Sequence, residues 1–140
     1  MRYTGGEALV EALKQQGVKV IFCSPGTEWT PVWETLVKLH AQGDPEPAYF
    51  NCRHEMLAVS AAIGYALKGG GLPVVLLHTS AGLLNSAMSI RGAYLNQIPM
   101  LVFSGESVRF TEGKTRKAGA LRGCLPFPMS AVPAVWRRLS

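Results

Sequence analysis

Four short apolar runs, separated by segments with helical spacing, constrain the fold of this chain more than any other feature. Each run is rich in β-branched or aromatic residues and is bounded by turn-forming residues, which predicts a strand. The runs cover residues 18–23, 48–52, 73–77 and 100–103. Regular alternation of strands and helices predicts an α/β fold, a three-layer parallel sheet with helices on both faces.

The predicted helices begin at recognisable capping residues. Thr4 and Glu7 have the spacing of a capping box, which predicts a first helix over residues 5–16. Thr27 is expected to cap a second helix that runs to about residue 40. Further helices are predicted over residues 56–67 and, following the segment 78–82, through about residue 94.

Polar and glycine-bearing turns follow all four predicted strands. In a parallel sheet these turns lie at one edge, where open α/β sheets bind their ligands. Glu55 follows the second strand and precedes an apolar helix, so its carboxyl group is the first candidate for chemistry. A simpler alternative is that Glu55 only opens that helix, where a negative charge suits the positive end of the helix dipole.

The net charge of +5 is unevenly distributed along the chain. Residues 1–113 carry eight basic and nine acidic side chains, whereas residues 114–140 carry six basic side chains and no acidic one. We therefore expect one domain over residues 1–113. The tail over residues 114–140 is expected to be poorly ordered or not a native continuation of the domain. Because the basic charge belongs to the tail, no specific nucleic-acid binding is expected.

Several functional classes lack their sequence signals. No apolar run approaches the roughly 20 residues of a membrane span, and the N-terminus has no apolar signal core, so a cytoplasmic location is expected. The three cysteines, Cys23, Cys52 and Cys124, are widely spaced, which indicates buried thiols and predicts no protein metal site. The glycine patterns of dinucleotide and Walker-type phosphate sites and the serine elbow of hydrolases are also missing.

Several motifs occur in a family-specific order. The chain resembles the N-terminal pyrimidine-binding domain of thiamine diphosphate enzymes of the acetolactate synthase, benzoylformate decarboxylase and pyruvate oxidase group. The resemblance covers Thr4 to about Ser107. Its motifs are Gly17-Val18-Lys19-Val20-Ile21-Phe22 with Pro25-Gly26, Arg53-His54-Glu55, Ala61-Ala62-Ile63-Gly64-Tyr65-Ala66, Gly82 with Asn85, Ala93-Tyr94, and Ile98-Pro99 before Gly105.

The resemblance implies a role for each matched residue. The glutamate aligned with Glu55 contacts N1′ of the cofactor's aminopyrimidine and favours the imino tautomer, which removes the thiazolium C2 proton. Glu55 is thus the expected catalytic and cofactor-binding residue. Pro25, Gly26, Gly82 and Asn85 are expected to shape the pyrimidine pocket. The implied reaction is decarboxylation or carboligation of a 2-oxo acid.

The chain also departs from the family's pattern. Ser80-Ala81-Gly82 stands where relatives often read Gly-Pro-Gly, and Asn96 replaces a frequent acidic residue, so the particular 2-oxo acid stays open. The Gly-Asp-Gly segment that begins the diphosphate and Mg²⁺ site is missing. A second domain or chain is therefore expected to hold those groups, in a homo-oligomer or a split enzyme, and this chain alone is expected to be inactive. FAD, which some relatives contain, has no support in the sequence.

Two other functions remain alternatives at this point. A non-catalytic α/β interaction or regulatory module would keep the fold without binding a cofactor. A nucleotide-binding regulator is the third hypothesis, although it lacks its glycine fingerprint.

Overall fold

The computed structural model describes residues 4–105 and 131–132 of the chain, so the predicted tail lies almost entirely outside the described residues. Four helices alternate with four strands up to residue 104. The helices are α1 (Gly5–Gln15), α2 (Thr30–Ala41), α3 (Glu55–Leu67) and α4 (Thr79–Leu95). The strands are β1 (Val20–Ser24), β2 (Ala48–Asn51), β3 (Val74–Leu77), β4 (Leu101–Ser104) and the short β5 (Ala131–Val132).

The strands form one sheet in the order β2-β1-β3-β4-β5. The first four are parallel, with Val20 of β1 opposite Ala48 of β2 and Ile21 of β1 opposite Val74 of β3. Strand β5 pairs antiparallel with β4. The predicted α/β fold is confirmed, and the carboxyl ends of β1 to β4 lie at one edge of the sheet.

Alternate residues of each central strand build two separate cores. In β1, Val20 and Phe22 pack on one side with α3 and α4, whereas Ile21 and Cys23 pack on the other side with α1 and α2. Successive side chains of a strand point to opposite faces, so a strand covered on both faces reads as a continuous apolar run. This is why the central strands β1 and β3, which are buried along their whole length, could be found in the sequence.

The capping box at the start of α1 is confirmed. The Thr4 backbone N–H donates to Glu7 Oε2 at 2.8 Å, and the Glu7 backbone N–H donates to Thr4 Oγ1 at 3.3 Å. The hydrogen bond from the Thr4 backbone N–H, followed by a hydrogen bond from the Thr4 side chain, holds the pKa of the exposed Glu7 carboxyl below its usual range. The box satisfies backbone donors that the first helical turn would otherwise leave to water.

The prediction that Thr27 caps the second helix is wrong. Thr27–Trp29 forms a separate 3₁₀ turn, and α2 begins at Thr30 without a side-chain cap. The indole of Trp29 is buried, and its Nε1 donates to the backbone oxygen of Leu77 at 2.9 Å. Burying this large side chain and satisfying its N–H favours the tighter turn over an earlier helix start.

Among the described residues, no helix is both long enough and apolar enough to cross a membrane.

Candidate functional site

The candidate site lies at the edge of the sheet where the parallel strands β1 to β4 end. The four predicted turns meet there because the strands run in the same direction and lie side by side. Since β1 lies between β2 and β3, its Pro25-Gly26 turn lies between the turn that carries Glu55 and the first turn of α4. The strand order therefore decides which of the predicted site residues become neighbours.

Glu55 is the first residue of α3. The preceding residue, His54, caps the helix, because its Nδ1 accepts from the backbone N–H of Met56 at 3.2 Å. Glu55 therefore lies where it would if it only opened the helix, and it contributes a negative charge to the first helical turn. That placement leaves the direction of the carboxylate to be decided by tertiary contacts.

The Glu55 carboxylate reaches from α3 to α4. A β-carbon built on Gly82 of α4 would lie 3.0 Å from Glu55 Cγ and 3.3 Å from its Oε1. The amide Nδ2 of Asn85 donates to Glu55 Oε2 at 3.5 Å, and the Glu55 residue is partly exposed. The structure thus brings together Glu55, Gly82 and Asn85, and Glu55 stays partly exposed beside them.

Pro25 and Gly26 lie at the same edge, and Gly26 contacts groups other than Glu55. A β-carbon built on Gly26 would overlap the imidazole of His78 and the carboxylate of Glu28. The role of Pro25 and Gly26 in shaping a pyrimidine pocket stays a prediction.

Sequence reasoning missed a hydrogen-bonded pair of side chains at this edge, which we call the Glu28–His78 pair. The Nδ1 atom of His78 lies 2.9 Å from Glu28 Oε1 and 3.0 Å from Oε2. The two residues are separated by 50 positions in the chain, so no local pattern connects them. The available signal was that each is an ionisable side chain within a few residues of a predicted strand end.

The two described cysteines differ in their surroundings. Cys23 is buried in the α1–α2 core, and burial raises the pKa of its thiol to about 12. Cys52 is partly exposed, and its partial burial raises the pKa of its thiol. No group of three or more metal-ligating side chains occurs within the described part of the chain, and Cys124 lies outside it.

Open α/β sheets bind their ligands at the carboxyl edge, and here that edge carries a carboxylate held between two helices. Residues 3–122 match the family model described as thiamine pyrophosphate enzyme, N-terminal TPP binding domain. The chain belongs to this family, and the resemblance derived from its sequence is confirmed.

Individual relatives agree with the family match. The chain is 33% identical to acetolactate synthase of Arthrospira platensis, over 80% of this chain and 19% of the relative. It is 31% identical to the acetolactate synthase large subunit of Lactococcus lactis subsp. lactis strain IL1403, over 79% of this chain and 18% of the relative. A solved structure, the thiamine diphosphate-dependent 4-hydroxybenzoylformate decarboxylase of Rhodococcus jostii RHA1, matches with a TM-score of 0.63 and 28% identity, over 82% of this chain and 20% of that one. The chain spans about a fifth of the length of these relatives.

Proposed function

We propose that this chain is the pyrimidine-binding part of a thiamine diphosphate enzyme that decarboxylates or joins 2-oxo acids. The observation that carries the proposal is the position of the Glu55 carboxylate, which lies between α3 and α4 against Gly82 and within reach of Asn85. The matched relatives are described as acetolactate synthases and as a benzoylformate-type decarboxylase, which supports this class of reaction.

The residues present fit the pyrimidine end of the cofactor. The lack of a side chain on Gly82 leaves room for the Glu55 carboxylate, and Glu55 is partly exposed. A carboxyl group in that position can exchange a hydrogen bond and a proton with a ring nitrogen. When bound, thiamine diphosphate supplies a thiazolium carbon that can lose its proton and attack a carbonyl carbon. Glu55 would hold the ring nitrogen, and Asn85 would orient the Glu55 carboxylate.

The proposal includes a second domain or chain that binds the diphosphate and Mg²⁺. Exposed apolar residues next to the site support a partner surface: Leu57 on α3 is 54% exposed, and Leu84 and Met88 on α4 are 75% and 73% exposed. Large apolar side chains this exposed on adjacent helices are typical of protein interfaces. We propose a homo-oligomer or a split enzyme located in the cytoplasm, inactive as this chain alone.

Calorimetric titration with thiamine diphosphate and Mg²⁺ tests the proposal. The purified chain is titrated alone and together with a chain that carries a diphosphate-binding domain. Binding that requires the partner is the expected result, and it should be weakened in Glu55→Gln. Glu34→Gln is the matched control, since Glu34 is exposed on α2. Binding to the chain alone would contradict only the need for a partner. No binding under either condition would instead support a non-catalytic interaction module.

A further inference from the structure

Two residues other than glycine have a left-handed backbone within residues 4–105 and 131–132, and they lie at opposite ends of α4. Gln97 has a φ of +53° and follows the C-terminal end of the helix. Thr79 has a φ of +40° and is the first residue of the helix. The same unusual conformation therefore occurs in two different helical contexts.

The left-handed conformation of Gln97 is an ordinary way for a helix to end. The Gln97 N–H donates to the backbone oxygen of Tyr94 at 3.1 Å, and the Ile98 N–H donates to that of Ala93 at 2.9 Å. These are the two bonds of a Schellman motif, which satisfies carbonyl groups that the last helical turn leaves unpaired. Helix geometry thus accounts for Gln97.

Helix geometry does not account for Thr79. The first residue of a helix normally has a right-handed backbone, and a positive φ is an outlier for a β-branched side chain. Such a conformation persists only where the surrounding structure holds it. Since α4 begins without a side-chain cap, the constraint on Thr79 comes from outside the helix.

Ser104, the last residue of β4, supplies that constraint. Its Oγ lies 2.6 Å from the backbone oxygen of Thr79 and 3.2 Å from that of Gly105. Because a hydroxyl group has a single hydrogen, we assign the bond to the shorter contact, with Ser104 as the donor and Thr79 as the acceptor. The bond ties the start of α4 to the end of the neighbouring strand.

This side-chain bond continues the backbone hydrogen bonds between β3 and β4. The Gly105 N–H donates to the backbone oxygen of Leu77 at 3.1 Å, where the two parallel strands end. Because bonds in a parallel pair are evenly spaced, the oxygen of Thr79, two residues further, is the next acceptor in the series. The chain has left the sheet at that point, and the hydroxyl of Ser104 takes the place of a backbone donor.

The conformation of Thr79 sets the direction in which α4 leaves the sheet. Gly82 and Asn85 lie in the first two turns of the helix that Thr79 begins. The Gly82 N–H donates to the backbone oxygen of His78 at 2.6 Å, and the Glu55 side chain packs against Gly82. A change of φ at Thr79 would therefore move Gly82 and Asn85 relative to the Glu55 carboxylate.

We infer that Ser104 is a positioning residue of the enzyme: its hydroxyl holds Thr79 in the left-handed conformation, and this fixes the start of α4. The start of α4 in turn sets the distance from Gly82 and Asn85 to the Glu55 carboxylate. Ser104 acts through the helix and not by touching the cofactor or the substrate. This inference rests on the proposed function.

The conformation of Thr79 can be measured without cofactor. A positive φ brings the amide and α protons of a residue close together, so Thr79 and Gln97 should each give a strong intraresidue NOE in spectra of the full, ¹⁵N-labelled chain. Ser104→Ala is expected to weaken the NOE at Thr79 and to leave that at Gln97 unchanged. A strong NOE at Thr79 in Ser104→Ala would overturn the inference, as would a weak one in the unsubstituted chain.

Turnover of the assembled holoenzyme tests the positioning role. Ser104→Ala is expected to lower kcat about 10-fold with little change in KM for the 2-oxo acid, because it misaligns Glu55 without removing a contact to the substrate. Ser104→Thr keeps the hydroxyl and should have nearly normal kcat. An unchanged kcat in Ser104→Ala would contradict the positioning role.

Thr79→Gly distinguishes positioning from a general loss of stability. Glycine adopts a positive φ without strain, so this substitution should keep α4 in place even without the Ser104 hydroxyl. Adding Thr79→Gly to Ser104→Ala is expected to recover most of the lost kcat. Gln97→Gly is the matched control, because it relieves the same strain at the other end of α4 and should recover none. Equal kcat with and without Thr79→Gly would show that Ser104 contributes only to stability.

The outcomes separate this inference from the proposed function. Thermal unfolding is measured for every variant, and if Ser104→Ala does not fold, Ser104→Cys replaces it, since a thiol is a weaker donor. Cofactor binding by the unsubstituted assembly together with normal kcat in the Ser104 variant would refute this inference alone. Absence of cofactor binding in the unsubstituted assembly would refute both the inference and the proposed function.

Discussion

The two edges of the sheet use glycine for different physical purposes. At the amino edge, where the chain enters β1, Gly17 has a φ of +72°, in the left-handed region that other residues rarely adopt. At the carboxyl edge, Gly26, Gly82 and Gly105 all lie outside that region. There a β-carbon would instead occupy the space of an acidic side chain.

From this difference we expect replacements of glycine at the amino edge to change the stability of the fold, and replacements at the carboxyl edge to change the candidate site. A glycine needed for its backbone conformation ends a helix and redirects the chain, so its replacement should cost folding free energy. A glycine needed for its missing side chain makes room for a carboxylate, so its replacement should change the site. The following predictions test this separation, from the largest expected effect to the smallest.

Glu55→Gln should have the largest effect, a loss of at least about 100-fold in turnover of the assembled enzyme. The amide keeps the shape of the side chain but cannot exchange a proton with a ring nitrogen. Steady-state kinetics against Glu34→Gln provides the measurement and its control. Near-normal turnover would remove Glu55 from its proposed role.

Gly82→Ala should lower turnover about 10-fold, because displacing a catalytic group by a fraction of an ångström is enough to misalign it. The new methyl group would press on Glu55 Cγ and Oε1, which can only move away. Gly64→Ala on α3 is the matched control, since a β-carbon there meets nothing within 4 Å. Equal turnover in the two variants would contradict the proposed use of space at the carboxyl edge.

Gly17→Ala should destabilise the fold by about 1 kcal/mol and leave cofactor binding unchanged. The cost arises because alanine resists the left-handed conformation, while the open space around Gly17 excludes a steric clash. Urea denaturation measures the stability, and calorimetry measures the binding. If Gly17→Ala instead weakened cofactor binding and left stability unchanged, the proposed difference between the two edges would be wrong.

Asp44→Asn should have the smallest effect, and that effect should depend on pH. Asp44 pairs with Lys14 at the amino edge, and its hydrogen bond to Lys14 lowers the Asp44 pKa while raising the Lys14 pKa. Because the Asp44 pKa is lower in the folded state, the pair adds folding stability at pH values above the unfolded Asp pKa of about 4. That stability is lost as the pH falls through the lower folded pKa. Because the Lys14 pKa is higher in the folded state, the pair also adds folding stability at pH values below the unfolded Lys pKa of about 10.4. That stability is lost as the pH rises through the higher folded pKa.

Denaturation of the unsubstituted chain and Asp44→Asn across this pH range measures the difference. The difference in unfolding free energy should be greatest between about pH 4 and about pH 10.4, and it should shrink toward both ends of that range. A difference that does not change with pH would show that the pair contributes through packing rather than charge.

Local patterns predicted most of the fold because each element carries its own signal. The apolar runs of β1 and β3 are buried on both faces, and the Thr4 capping box marks the start of α1. The start of α2 was predicted wrongly, because the long-range bond from Trp29 to Leu77 overrides the capping preference of Thr27. Local propensity is weaker than a buried tertiary contact at that point.

The candidate site was predictable only in part. The position of Glu55 at a strand end followed from the sequence, and the resemblance associated it with Gly82 and Asn85. The Glu28–His78 pair was not predicted, although it lies at the same edge. Nothing in the spacing of two residues so far apart indicates that their side chains meet.

The sequence by itself determined that this protein is an α/β domain, that its polar turns follow its strands, and that Glu55 stands between a strand and a helix there. Only the tertiary structure decided which turns are neighbours, and so which carboxylate lies beside Asn85 and which beside His78. The physical reason is that strands and caps depend on residues a few positions apart. Contacts across the edge depend on the strand order β2-β1-β3-β4, which is fixed when distant apolar faces pack together.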